Sequence, residues 1–270
     1  SVVKRGRTTF VGNMRVDARH SFMTPDNSRI GTDFYIPKDK LNGAKNGDKV
    51  IVTLLDWPKK AKSPFAEVST IMGAAGDHNA EIHAILAEFG LPYEFPESVE
   101  AFVESIPETI SDEEIAKRRD MREVLTFTID PHDAKDFDDA LSIKKLGENK
   151  WEIGIHIADV SHYVQEGTLL NDEAYERATS VYLVDRVVPM LPEKLSNKVC
   201  SLRPNEEKLC FSAVFTINDK AEVLEEWFGR TVIYSDHRFT YEDAQEVIEK
   251  GEGKFADEIL LMDKLAKIMR

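Results

Sequence analysis

The chain has 270 residues, 42% of them hydrophobic, which is enough to bury one large core or two smaller ones and excludes disorder as the default reading. A formal net charge of -14 weighs globally against a phosphate backbone as partner, because such affinity comes mainly from Lys and Arg. No apolar run is long enough to span a bilayer and no secretory leader is visible, so a cytoplasmic protein with no membrane association is expected.

The charge is unevenly spread. Residues 1–75 hold 13 Lys and Arg against 7 Asp and Glu, residues 76–130 hold 4 against 14, and residues 131–270 hold 18 against 28. A basic module followed by an acidic body leaves nucleic-acid contact and ordinary surface variation equally open. Cys200 and Cys210 sit in CSLRPNEEKLC without a second pair or a nearby His, which predicts two small packed thiols and neither zinc site nor disulfide.

Residues 1–72 predict short strands, TTFVGNMRV, SFMTP, DFYIP, KVIVTLLDW and FAEVSTIMG, separated by Gly and Asn turns, which suits a small all-β barrel of the OB type. Phe10, Phe22, Phe34 and Tyr35 alternate with Arg5, Arg7, Arg15, Arg19 and Lys38, a mixture able to stack bases and follow phosphates, although any one of these aromatics is more readily a core residue. Residues 73–118 predict a helical connector. Asp77 is its N-cap and Ile82, Ile85, Leu86 and Phe89 its apolar stripe; a second helix carries Val99, Phe102, Val103 and Ile106, and Ser111 to Glu114 opens a third.

From residue 119 the pattern mixes helices and strands into an α+β domain. REVLTFTID predicts a strand with Asp130 at its end on the polar face, and ALSIKKL and WEIGIHIADV predict a hairpin around GENK. A helix over 171–180, the extended VYLVDRVVPMLP, the strand CFSAVFTI and a helix capped by Thr240 and Asp243 follow. The last helix, striped by Ile259, Met262, Leu265 and Met269, runs to Arg270 uncapped, and the chain starts inside a predicted strand, so a piece of a longer protein is expected.

TIDPHDAKDFDDAL, residues 128–141, concentrates Asp130, Asp133, Asp136, Asp138 and Asp139 around a single Lys135. Such crowding is costly unless a cation neutralises it, and Mg²⁺ is the natural candidate because it takes hard oxygen ligands at ~2.0–2.1 Å. An EF-hand is excluded: counted from Asp130, the sixth position is Lys135 in place of Gly and the twelfth is Leu141 in place of Glu. A solvated acidic turn stays open on spacing alone. His156, Asp159 and His162 in HIADVSHYV are expected to be structural, and Lys117, Arg118 and Arg119 to balance the acidic helices.

TIDPHDAKDFDDALSI resembles the signature of the ribonuclease R / ribonuclease II family of exoribonucleases nearly residue for residue. RRDMREVLTFTIDP, HIADVSHYV, AYERATSVYLVDRVVPMLPEKLSN and CSLRPNEEKLCFS resemble the same family in the same order, and DFYIPKDKLNGAKNGDKVIVTLLDWP resembles its second cold-shock domain. The resemblance implies a cold-shock barrel (1–72), a connector (73–118) and the N-terminal part of an RNB catalytic domain (119–270). It implies a processive hydrolytic 3′-to-5′ exoribonuclease that draws single-stranded RNA by its 3′ end to a Mg²⁺ centre and releases nucleoside 5′-monophosphates. Asp130, Asp136, Asp138 and Asp139 would form the metal set, with Asp138 the carboxylate needed for the chemical step, and Tyr182 would pack against the 3′-terminal nucleotide. Part of the family's site would lie beyond Arg270. A monomer without an obligate protein partner is expected. A non-catalytic RNA-binding or regulatory module, and a structural ion-binding protein, are the alternatives.

Overall fold

The computed structural model describes residues 7–92, 94–184 and 186–270. The chain forms two compact units, residues 1–94 with 182–188, and residues 95–181 with 189–270.

In the first unit β1 (Thr9–Val16), β2 (Ser21–Pro25), β3 (Phe34–Tyr35), β4 (Asp48–Asp56) and β5 (Phe65–Ala74) close into a barrel in the order β1-β2-β3-β5-β4. Alternation along the strands turns Met14, Met23, Phe34, Val50, Val52 and Val68 inward. Phe10 packs against that core and Phe34 belongs to it, whereas Phe22 and Tyr35 face outward. With Phe65 they form a row across β2, β3 and β5, with ring centroids 5.5 and 5.2 Å apart. Arg7 is engaged by Glu88 at 2.6 Å, and Arg5 lies outside the described residues.

Asp77 caps α1 (His78–Glu88) by accepting the Ala80 N–H at 3.0 Å, and of the predicted stripe the helix fully buries only Leu86. Ala80, Ala84 and Leu86 face the barrel, while Ile85 and Phe89 are exposed. Close approach is the reason: a Cβ on Gly73 would lie only 3.2 Å from the Ala80 Cβ, so the helix seats its small side chains against β4 and β5. Buried Lys49 ties β4 to α1 through Glu81 (3.0 Å) and to Asp26 (2.9 Å). The predicted connector 73–118 therefore does not stand as one segment: α1 belongs with the barrel, and α2 (Glu97–Glu104) and α3 (Asp112–Ile115) belong with the second unit.

The second unit is built on a seven-stranded mixed sheet. Its strands are β6 (Arg119–Asp120), β7 (Thr126–Asp130), β8 (Asp139–Gly147), β9 (Lys150–Ala158), β12 (Glu206–Asn218), β13 (Val223–Ser235) and β14 (His237–Thr240), in the order β14-β7-β8-β9-β12-β13-β6. The β8–β9 hairpin turns at Asn149, whose φ of 55° is a conformation Asn tolerates. One sheet face meets α2, α4 (Val160–Tyr163) and α5 (Leu169–Arg177) in a core with Val99, Val103, Leu170, Leu195 and Val214. The other meets α6 (Tyr241–Lys250) and α7 (Ala256–Met269) through Phe127, Phe239, Val247, Ile259 and Leu265. Met269, predicted for the α7 stripe, is exposed. β10 (Val181–Tyr182) and β11 (Val187–Val188) pair as a two-stranded ribbon. Cys200 and Cys210 are buried free thiols. Among the described residues no helix is long and apolar enough to cross a membrane.

Candidate metal centre

β7 is buried at all but Ile129 and delivers Asp130, 7% exposed, to its C-terminal end. Residues 131–138 then cross to β8, which opens on Asp139. This crossing is held by backbone groups whose partners come from distant parts of the chain. Arg238 Nη2 donates to the carbonyls of Pro131 and His132, the latter at 3.0 Å. Ser201 Oγ accepts the Phe137 N–H at 3.0 Å and donates to the Lys135 carbonyl at 3.2 Å. The Leu202 N–H donates to the Phe137 carbonyl at 2.8 Å and the Ala158 N–H to that of Asp138 at 2.9 Å. With its side chain in the core, Phe137 fixes the middle of the crossing, and Asp136 and Asp138 flank it.

The carboxylates are close enough to feel one another. Burial pushes the Asp130 carboxyl above its ordinary range against the pull of the Thr128 hydroxyl and of Arg238, and the charges of Asp139 and Asp136 add to the rise. Asp138 reaches solvent, yet the protein packed around it raises its proton affinity, and Asp136, Asp139 and Asp130 raise it further. None of the four forms an ion pair among the described residues, and Asp130 Oδ2 is buried without a hydrogen-bond partner. In these positions no three His, Cys, Asp or Glu side chains among the described residues converge tightly enough to hold an ion. The donor chemistry nevertheless fits a hard cation: hard oxygen donors, carboxylates without an ion-pair partner among the described residues, and a buried oxygen without a hydrogen-bond partner.

Tyr182, the predicted stacking residue, lies on β10 in the first unit with 71% of its surface exposed, whereas all four aspartates belong to the second. HIADVSHYV takes the structural role predicted for it. His156 is wholly buried between Ser212 Oγ (2.7 Å) and Ser142 Oγ (2.8 Å), and burial pushes its pKa down to about 4. Asp159 pairs with buried Arg118 at 2.8 Å, and Arg118 also reaches Glu114 at 2.8 Å. His162 stands 3.6 Å from Glu114. Lys117 is engaged by Glu114 of α3, as expected of a balance to the acidic helices, whereas Arg119 pairs with Glu152 on β9. Sequence reasoning missed Arg238 and Ser201. Neither repeats at a helical or strand period with the acids, and the only signal for Ser201 was its place in the CSLRP segment.

A barrel followed by a mixed-sheet domain with an acidic strand-to-strand crossing defines the class. The cold-shock domain family matches residues 22–96 and the RNB domain family residues 118–270. The chain belongs to the RNB-domain family. It is 38% identical over 276 residues to ribonuclease R of Thermotoga maritima, covering 100% of this chain and 39% of that protein. Ribonuclease R of Aquifex aeolicus is 35% identical over 274 residues, with 99% and 39% covered. The chain thus spans about two fifths of the length of these curated relatives. Among solved structures, Mycoplasma genitalium RNase R in complex with double-stranded RNA superposes with a TM-score of 0.87 at 24% identity, covering 99% of this chain and 48% of that one. Yeast Ssd1, described as a pseudonuclease, superposes with a TM-score of 0.67 at 20% identity over 93% of this chain and 32% of its own. Both likenesses establish shared fold.

Proposed function

We propose that the chain is the cold-shock and metal-binding portion of a hydrolytic 3′-to-5′ exoribonuclease that degrades single-stranded RNA processively to nucleoside 5′-monophosphates. The observation that carries this reading is the gathering of Asp130, Asp136, Asp138 and Asp139, none of them ion-paired among the described residues, on one pinned crossing of an RNB domain. These four would hold Mg²⁺. When bound, the ion supplies counter-charge for the phosphodiester and acidity for the attacking water.

The chain's own residues then have separable tasks. Asp130, fixed at the buried end of β7, offers an oxygen that lacks any donor. Asp136 and Asp139 face it from the other end of the crossing and share its repulsion. Asp138 is the solvent-reaching acid with raised proton affinity, suited to take the proton from the attacking water at a carboxylate oxygen. Tyr182 presents an exposed ring able to stack on a nucleobase, such as that of the 3′-terminal nucleotide. On the barrel, the outward row of Phe22, Tyr35 and Phe65 beside exposed Arg15, Arg19 and Lys38 supports engagement of single-stranded RNA.

Asp138→Asn in the whole protein tests the reading: degradation of a single-stranded RNA in Mg²⁺ is expected to slow at least about a hundredfold with RNA affinity retained. Wild-type rates in that variant would remove the metal-centre assignment. A second reading, an RNA-binding module without turnover, draws support from the shared fold of the yeast pseudonuclease. RNA binding with no mononucleotide release by the wild-type protein would favour it.

A further inference from the structure

We propose that Arg238 is a positioning residue for the candidate metal centre: its guanidinium fixes the turn after Asp130 and so sets where Asp136, Asp138 and Asp139 fall relative to it. The inference rests on the metal-centre reading above and assigns a task to a side chain outside the acidic motif.

β14 runs parallel to β7, with Arg238 opposite Thr128 and Thr240 opposite Asp130. From that register the Arg238 side chain reaches past the strand end to the first two residues of the crossing, donating through Nη2 to the Pro131 and His132 carbonyls. Its guanidinium carbon also lies 5.3 Å from the centre of the Phe137 ring. Phe137 stands between Asp136 and Asp138, and its own backbone is pinned by Ser201 and Leu202. One side chain therefore links the start of the crossing to the residue between its two later acids.

Among the described residues Arg238 forms no ion pair with a carboxylate, and its charge acts at longer range on Asp130 and Asp243. Its Nε is buried without a hydrogen-bond partner, which shows that packing, not maximal bonding, dictates where the group sits. A planar fork can bond two carbonyls while contacting an aromatic ring, and a lysine ammonium cannot reproduce both contacts. Groups that orient metal ligands without touching the ion typically change affinity about 10–100-fold when removed.

Mn²⁺ titration of the whole protein, followed by calorimetry and by the free-ion paramagnetic signal, tests this in the wild type, Arg238→Gln, Arg238→Lys and Asp138→Asn. Arg238→Gln is expected to weaken Mn²⁺ binding at least about tenfold, and Arg238→Lys to weaken it less. In activity assays the Gln variant should need more metal for half-maximal rate, with an unchanged KM for RNA at saturating metal. Wild-type Mn²⁺ affinity in a folded Arg238→Gln protein overturns the inference while leaving the metal-centre reading intact. If Arg238→Gln does not fold, Arg238→Lys decides: affinity equal to wild type overturns the inference and a several-fold loss supports it. A folded wild type that takes up no Mn²⁺ overturns both.

Discussion

At the scale of single residues, the second unit relies on buried polar groups whose charge states are fixed by their surroundings. His156 crosses the sheet between Ser142 and Ser212, and Ser212 continues to Thr231 Oγ1 at 2.6 Å. Burial holds the imidazole neutral, with its pKa lowered from 6.5 to about 4, so the unfolded chain binds an extra proton between those values. Stability from this source is complete above pH 6.5 and is lost as the pH falls, by about 3 kcal/mol at pH 4. Urea unfolding measured at intervals over that range should show the slope, and His156→Leu should flatten it. Arg118 offers a second check. Removing it leaves Asp159 buried without its nearest cation, so Arg118→Met should cost about 3–5 kcal/mol in the same assay. HIADVSHYV was legible as structural because a strand and its following turn commonly carry such residues for hydrogen bonds, and the Lys117–Arg119 run because acidic helices precede it. That His156 would be entirely enclosed was not, since its serine partners come from β8 and β12.

Elements were readable where a local signal closes on itself. α6 is an example: Thr240 accepts the Asp243 N–H at 3.0 Å, Asp243 returns the bond at 3.2 Å, and Gly251 ends the helix at φ 70°. Because that cap also sits beside Asp130 in the β14–β7 register, Thr240→Ala should lower the melting free energy by about 1 kcal/mol, measured by thermal unfolding. Elements set by what lies across from them were less readable. α1 carries a stripe of Ile82, Ile85, Leu86 and Phe89, yet only Leu86 of it is fully buried, together with Ala80 and Ala84, because the close approach at Gly73 favours a small side chain at Ala80. β13 gave no alternating pattern because its first half, with Glu225 and Glu226, is largely exposed, and its fully buried residues, Thr231, Val232, Ile233 and Ser235, lie in the second half. The crossing after Asp130 shows both cases. Its acids were plain in the sequence, but the side chains that shape it, Arg238 and Ser201, are separated from it by 106 and 64 residues in the closest of their bonds.

For the whole molecule, the charge asymmetry read from the sequence coincides with the division into units. The excess of Lys and Arg falls within residues 1–75, in the barrel, and the acidic excess falls largely in the unit that carries the four aspartates. If the barrel engages RNA through phosphates, affinity for single-stranded RNA should fall steeply as salt rises, and Arg15→Gln with Arg19→Gln should reduce that slope. An affinity indifferent to salt would count against the barrel as an RNA surface. The 73–118 segment was expected to bridge two domains as a unit, but its apolar residues sort it: Val99 and Val103 are buried in the core of the second unit, and α1 is buried on the barrel.

The central claim is that the acidic crossing serves metal-dependent hydrolysis of RNA from the 3′ end. Its most direct test is chromatographic analysis of the products from a 5′-labelled and a uniformly labelled single-stranded RNA, incubated with the whole protein with and without Mg²⁺. Nucleoside 5′-monophosphates released from the first time points, only when Mg²⁺ is present and with no internal fragments, are the predicted result. Internal cleavage products, or RNA left intact in Mg²⁺ by a folded protein that binds it, would contradict the account.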